Sequence, residues 1–395
     1  MTPAARAEAA IELLDEIIAA AKGGGAAADT LIARYFKARR YAGSGDRRAV
    51  RELVYRAIRA WPEPPASGRA GILGLASQDP ALLAAFDGSP HGPGVVSPGE
   101  KGLTPRSSAV PKWLVRRFDP AVSSADLQSL LGRAPLDLRV NRLRGEREDA
   151  LAAFPGAVPT PLSPVGLRLP EATAVEESDA WRSGLVEVQD EGSQLLALSC
   201  SPKPGETILD LCAGAGGKTL ALAAEMRNSG RLVASDTDRG RLSRMDLRLK
   251  RSGVTIVEPR LLNPGREREA LADLMDAPDL ILVDAPCSGT GTWRRNPELR
   301  WRLDPKSLER YANLQAYLLD LAGELIRPGG CIVYAVCSLL REEGRGQAAA
   351  FEGRSAMVPE EVAIPGGRAA GSGRILTPAN DGTDGFFVAR WRAPC

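Results

Sequence analysis

From about residue 186 onward, short apolar runs alternate with longer segments of helical periodicity. That alternation constrains the fold more than any other feature of the chain. Residues 207–211 read as a first strand, 218–227 as a helix, 232–235 as a second strand, and a basic segment through Lys250 as its helix. Residues 255–257 and 280–283 supply a third and a fourth strand. Asp304 caps a long helix with Pro305 at its first position. Arg327-Pro328-Gly329-Gly330 ends that helix, 331–335 is a fifth strand, and 386–391 reads as the last. Strands that alternate with helices pair in parallel, so the expected fold is α/β: a doubly wound parallel sheet with helices on both faces.

In such a sheet, ligands bind beyond the carboxyl ends of the strands. Three segments occupy that place. A glycine loop, Asp210-Leu211-Cys212-Ala213-Gly214-Ala215-Gly216-Gly217-Lys218-Thr219, follows the first strand. Asp284-Ala285-Pro286-Cys287-Ser288-Gly289-Thr290-Gly291 follows the fourth, and Tyr334-Ala335-Val336-Cys337-Ser338 closes the fifth. Two thiols at strand ends, one beside a carboxylate, point to thiolate chemistry on a bound substrate. For the other cysteines, Cys212 included, a small buried hydrophobe is the simpler reading.

The glycine loop fails two phosphate-binding patterns. Counted from Gly214, a dinucleotide fingerprint needs glycine where Thr219 stands; a P-loop ending in Gly217-Lys218-Thr219 needs glycine where Cys212 stands. A nucleoside without a polyphosphate fits better. Asp236 ends the second strand about twenty residues after the glycines, where an acidic group accepts hydrogen bonds from ribose hydroxyls. S-adenosylmethionine carries that ribose, an adenine and a compact methionine tail.

Composition removes several classes. The formal charge of +2 leaves nucleic-acid affinity to local patches. No run of about 18 apolar residues exists, so no membrane span is expected. The amino terminus lacks the apolar core of a signal peptide. Six cysteines in 395 residues do not make a disulfide framework, so reduced thiols and a cytoplasmic location are expected. The single histidine, His91, lies in a Gly/Pro-rich stretch, which excludes a Ser-His-Asp triad and a Cys-His dyad. No CxxC pair occurs, and no metal is expected.

The length predicts more than one domain. Residues 1–86 read as helical, 87–110 as a Gly/Pro/Ser-rich linker, 111–185 as a small α+β subdomain, and 186–395 as the main α/β domain. Within 33–60, nine bases (Arg34, Lys37, Arg39, Arg40, Arg47, Arg48, Arg51, Arg56, Arg59) face two acids, Asp46 and Glu52. They read either as a solvated helix face or as a phosphate-contacting surface. Tyr35, Tyr41 and Tyr55, interleaved with them, read as stacking platforms or as core. After the Cys287 loop, Arg294, Arg295, Arg300 and Arg302 with Trp293 and Trp301 suit phosphate contact and base stacking.

The three loop segments, with Val188-Gln189-Asp190-Glu191-Gly192-Ser193-Gln194 before them and Asp384-Gly385-Phe386-Phe387 after, resemble the Nol–Nop–Sun family of RNA cytosine carbon-5 methyltransferases. Five motifs occur in the family's order over 185–395. The helical amino-terminal part resembles a NusB-type RNA-binding domain. The resemblance implies a Rossmann-like class I methyltransferase domain that moves a methyl group from S-adenosylmethionine to carbon 5 of a cytosine in RNA. The implied substrate is rRNA, 16S rRNA in particular, with tRNA second, and the implied enzyme is a monomer.

By that resemblance, Cys212, Ala213, Gly214, Ala215, Gly216, Gly217 and Lys218 hold the methionine part of the cofactor and Asp236 its ribose. Asp284 faces both cofactor and cytosine, Cys337 is the nucleophile, and Cys287 assists product release. Ala215 stands where the family usually has proline, and Asn263 where an acidic residue usually contacts adenine. With no histidine near, Lys218 and the positive end of the following helix are the groups expected to favour a thiolate. A carboxylic acid at Asp284 is expected to assist at ring nitrogen 3. Two rival readings remain. A DNA cytosine methyltransferase would use one nucleophile on the Pro-Cys segment. An RNA-binding assembly factor with an inactive methyltransferase domain is kept open by Asn263.

Overall fold

The computed structural model describes residues 1–100, 104–105, 108, 110–171 and 173–395. It divides into two compact units. One comprises Met1–Arg116, Leu127–Gly132 and Thr292–Pro305; the other comprises Arg117–Asp126, Arg133–Gly291 and Lys306–Cys395. Among the described residues no helix is long and apolar enough to cross a membrane.

The first unit is helical, with helices Pro3–Gly23, Ala28–Ala38, Ser44–Ala60 and Gly68–Ala76. Thr2 starts the first helix by accepting from the Ala5 amide, and Gly24, at φ 69°, stops it. Leu13, Leu14, Ile17, Ile58 and Ile72 recur on inward faces and are fully buried. Several of the 33–60 bases are spent on surface ion pairs: Arg39 with Glu12, Arg51 with Asp29, Arg56 with Asp79. Tyr35 and Tyr55 are core residues whose hydroxyls donate to Glu12 and Asp29, whereas Tyr41 is exposed.

The Arg/Trp cluster after the Cys287 loop is not an RNA-stacking surface. Its residues 292–305 belong to the helical unit. Trp301 joins that unit's core and donates to the Trp61 carbonyl at 2.8 Å. The Arg300 guanidinium, buried, donates to the carbonyls of Ile58 and Arg59 (2.8 Å for the latter) in the last turn of helix Ser44–Ala60. Arg302 donates to Gly25 and Ala26, just past the first helix, at 2.8 and 2.6 Å. Helix ends leave carbonyls without partners, and arginine forks satisfy them. Trp293 and Arg294 are buried as well.

The second unit holds two sheets. The smaller is antiparallel, in the order β2-β3-β1-β4, with β1 Leu136–Val140, β2 Val158–Pro159, β3 Gly166–Leu169 and β4 Val186–Val188. The larger contains β5 Thr207–Asp210, β6 Arg231–Asp236, β7 Val257–Leu261, β8 Leu280–Asp284, β9 Cys331–Val336, β10 Val358–Glu360, β11 Arg368–Ala370, β12 Gly373–Leu376 and β13 Phe386–Arg392. Its order is β11-β12-β13-β9-β8-β5-β6-β7, with β10 on β13. Strands β9, β8, β5, β6 and β7 run parallel. The doubly wound α/β expectation holds for these five. The last strand, β13, instead pairs antiparallel with β9 and carries an antiparallel wing.

The third parallel strand begins at Val257 rather than at 255. Gly253 ends the preceding helix in the left-handed region, and the Asn228 side chain then holds the Thr255 amide at 2.9 Å, so the chain turns before it extends. From β5 the chain winds through β6 to β7, then crosses to the other side of β5 for β8 and β9. The crevice at such a switch point is where these folds bind ligands.

Candidate active site

Asp210, at the end of β5, is buried and accepts from the Thr219 hydroxyl at 2.7 Å; its Oδ1 has no partner. Burial pushes its pKa up to about 7 against the lowering effect of the Thr219 bond. The loop that follows is pinned from three sides. Ala213 donates to the Ser235 carbonyl, the Ala215 carbonyl accepts from Arg248 at 2.7 Å, and Gly214 donates to Asp236 Oδ2 at 2.8 Å. Asp236 Oδ1 accepts the Asp238 amide. Gly216 caps helix Gly217–Glu225 at φ 86°, and a Cβ there would lie 2.7 Å from the Met245 side chain, so only glycine serves.

Beyond these strand ends lies a cavity of about 740 Å³. Cys212, Ala213, Gly214, Ala215, Gly217, Lys218, Asp236, Asp284, Cys287 and Cys337 all line it. Two of the residues singled out in the sequence do not. Gly216 serves the turn, and Asn263 is exposed one residue past Leu262, which does form wall. Arg248, Glu267 and Tyr311 also line the cavity and carried no motif in the sequence, and Gln189 joins them from the Val188–Gln194 segment. Glu267 accepts from the Tyr317 hydroxyl at 2.8 Å.

The two cysteines meet. Their sulfurs are 3.3 Å apart. Strands β8 and β9 are parallel neighbours with Asp284 opposite Ala335, so Cys287 and Cys337 leave adjacent strand ends at nearly the same height. Backbone bonds then stitch the loops together: Ala285 to Ala335 and Gly291 to Cys337, both at 3.0 Å. The Gly291 carbonyl also accepts from the Gly385 amide at 2.8 Å. A Cβ on Gly291 would come within 1.9 Å of the Gly385 carbonyl oxygen and one on Gly385 within 2.8 Å of the Gly291 Cα, so this close approach needs glycine at both positions.

Lys218 Nζ lies 2.6 Å from Asp284 Oδ2. Burial opposes the Lys218 charge, but the charge and hydrogen bond of Asp284 outweigh it, and the lysine pKa is raised. The Lys218 ammonium is thus held charged beside Asp284 in the cavity wall. The thiol expectation changes for one cysteine. The Cys337 contact, burial, the charge of Cys337 and that of Glu343 push the Cys287 thiol well above its usual range. Cys212 is held up likewise by burial and by Asp210, Asp284 and Asp236. Among the described residues no group of histidine, cysteine or carboxylate side chains is arranged to hold a metal ion.

The profile of the 16S rRNA methyltransferase RsmB/F family matches residues 197–392. Ribosomal RNA small subunit methyltransferase B of Sodalis glossinidius is 37% identical over 287 residues, which is 71% of this chain and 65% of that protein's length. The chain thus spans about 65% of the length of the curated relatives it matches. Among solved structures, PH0851 superposes with a TM-score of 0.74 at 23% identity over 99% of each chain. NSun6 from Pyrococcus horikoshii with SFG gives 0.61 at 23% identity, over 68% of this chain and 93% of that one. At such identities the two structures speak for the fold alone. With a doubly wound domain, a glycine loop and two touching cysteines at its switch point, and a relative above one-third identity, the chain carries over residues 197–392 the methyltransferase domain of the RsmB/F family.

Proposed function

We propose that this chain methylates carbon 5 of a cytosine in RNA, 16S rRNA in particular, with S-adenosylmethionine as methyl donor and a covalent cysteine adduct on the path. One observation carries this reading: Cys287 and Cys337 touch inside a cavity large enough for a nucleoside cofactor and a base, beside the Lys218–Asp284 pair.

The residues present fit the cofactor. Asp210 lines the cavity with one buried carboxylate oxygen that lacks a partner, an acceptor an amino-acid ammonium group would satisfy. Gly214 and Gly217 leave the loop open where side chains would fill it. Asp236 supplies a carboxylate for ribose hydroxyls at the end of β6. The solved NSun6 structure holds SFG, an analogue of S-adenosylmethionine, which supports the same choice.

Bound S-adenosylmethionine would supply an electrophilic methyl group, toward which carbon 5 of an unmodified cytosine is a poor nucleophile. Cys337, as thiolate, adds to carbon 6 and forms a carbon–sulfur bond, which pushes electrons toward carbon 5 and ring nitrogen 3. The Lys218 ammonium is the proton-bearing group positioned to stabilise charge at that nitrogen, while Asp284 accepts from the exocyclic amine. Once carbon 5 is methylated it loses its proton to water, the ring double bond re-forms, and Cys337 departs. Cys287, 3.3 Å away and held as a thiol, passes its proton to the departing sulfur and is reprotonated from solvent.

The test is methyl incorporation from labelled S-adenosylmethionine into 16S rRNA, with bisulfite sequencing of total RNA from a deletion strain beside its parent. One cytosine should lose bisulfite protection in the deletion strain. Full protection everywhere, with no incorporation by the purified chain, would leave the inactive assembly factor as the better reading.

A further inference from the structure

Glu343 is a fully buried carboxylate, and the bonds it receives come from neutral groups. Its Oε1 accepts from the Ser288 amide at 2.8 Å and from Gln315 Nε2 at 3.1 Å. Its Oε2 accepts from the Ser338 hydroxyl at 2.6 Å and from the Ser288 hydroxyl. Ser288 directly follows Cys287, and Ser338 directly follows Cys337. One carboxylate therefore grips the residue after each cysteine. Gln315 extends the grip by donating also to the Pro286 carbonyl at 2.9 Å, on the other side of Cys287. Ser338 in turn receives the Leu340 amide and touches Thr290, so both loops close around the same point.

A cross-brace alone needs no charge. Burying an ion without a counter-ion is unfavourable: burial raises the Glu343 pKa against the lowering effect of its hydrogen bonds from Ser288, Ser338 and Gln315, and a neutral amide or a packed apolar group would join two loops at lower cost. The position of the charge is informative. The groups acting on Cys287 are Cys337 and Glu343, with Tyr311 of helix Pro305–Leu325 and Tyr334 of β9 also within electrostatic reach. Cys337 lies within reach of Lys218, itself paired with Asp284. The touching sulfurs thus have a negative group, Glu343, acting on Cys287 and a positive group, Lys218, within reach of Cys337.

We propose that Glu343 is a positioning residue that makes the two cysteines unequal: it fixes the sulfur–sulfur contact through Ser288 and Ser338, and its charge keeps the proton on Cys287 so that Cys337 becomes the thiolate. This rests on the methyltransferase reading for its meaning, but the asymmetry itself can be measured without RNA. The experiment is alkylation of the whole chain by iodoacetamide across pH 6–10, with each modified cysteine quantified by peptide mass spectrometry, for wild type, Glu343→Gln and Glu343→Ala. Glutamine keeps the size and an acceptor for Ser288 and Gln315 while removing the charge.

In the wild type, Cys337 should react at lower pH than Cys287. In Glu343→Gln the Cys287 profile should move down by about one pH unit, about a tenfold gain in rate at fixed pH below its midpoint, with the Cys337 profile moving less. Glu343→Ala should in addition slow the diamide-driven Cys287–Cys337 cross-link about tenfold. Unchanged profiles for both cysteines in a folded Glu343→Gln would overturn the proposal. If neither variant folds, Ser338→Ala decides by the cross-link: a wild-type rate sinks the grip, a slowed one supports it. A wild-type chain that shows the asymmetry yet methylates no rRNA supports the role of Glu343 and removes the substrate assignment instead.

Discussion

Lys218 Nζ and Asp284 Oδ2 lie 2.6 Å apart although 66 residues separate them, because the helix after β5 and the end of β8 converge on one cavity wall. The pair makes the lysine the proton carrier and the aspartate the acceptor. Asp284→Asn keeps the shape but removes the charge that holds Lys218, and should lower kcat by about a hundredfold to ten-thousandfold, the usual range for a lost proton-transfer or hydrogen-bond partner. KM for RNA should change much less. The check is steady-state methyl transfer with both substrates varied; a loss confined to KM would assign Asp284 to binding.

The touching sulfurs predict opposite phenotypes for two alanine substitutions. Cys337→Ala should abolish methyl transfer and form no covalent complex. Cys287→Ala should bind RNA, form the adduct and release it slowly, giving a shifted protein–RNA band on a denaturing gel. Retained activity in the first variant would remove Cys337 as nucleophile.

Asp210 ties stability to pH. Its pKa is about 7 in the folded chain against the ordinary 3.8, so the unfolded state ionises first as pH rises. The folded state therefore loses stability between about pH 4 and 7 and carries a constant penalty above, of order a few kcal/mol. Asp210→Asn should raise Tm at pH 8 and change it little at pH 4. If the carboxylate pairs with the ammonium of the donor, S-adenosylmethionine affinity should rise as pH passes through 7 in the wild type and stay flat in the variant. Calorimetry at pH 4, 7 and 8 reads both effects.

Trp301 is core. Trp301→Ala should destabilise the helical unit by about 3–5 kcal/mol, as large aromatic truncations do, seen as a lower denaturation midpoint. At temperatures where that unit stays folded, RNA affinity should be unchanged. A selective loss of RNA binding without a stability change would restore the stacking role.

The parallel strands and the loops at their ends were legible because each is a contiguous signal: a β-branched run, then glycine or Pro-Cys. Lys218, Asp236, Asp284, Cys287 and Cys337 could be assembled from those ends with no tertiary information. The rest depended on context. Arginine and tryptophan in 293–302 have the composition of an RNA contact, and only the helix ends they meet reveal a capping role. Glu343 looks like any acid in a charged stretch, Arg341-Glu342-Glu343, until burial sets it between two serines. Tyr311 and Glu267 reach the cavity from helices whose periodicity says nothing about which turn faces a ligand. Asn263 lies two residues past the end of β7, one beyond the wall residue Leu262, and is exposed, which the residue type alone does not reveal.

The residues from Thr292 to Pro305 have one more consequence, for the order of events at the ribosome. The helical unit needs Trp301 to complete a core otherwise made by roughly the first ninety residues. During synthesis its early helices must wait, with an unfilled apolar slot, until some two hundred further residues have emerged. A nascent chain arrested near residue 250 should therefore expose that slot to chaperones and proteases, and one arrested past 340 should not.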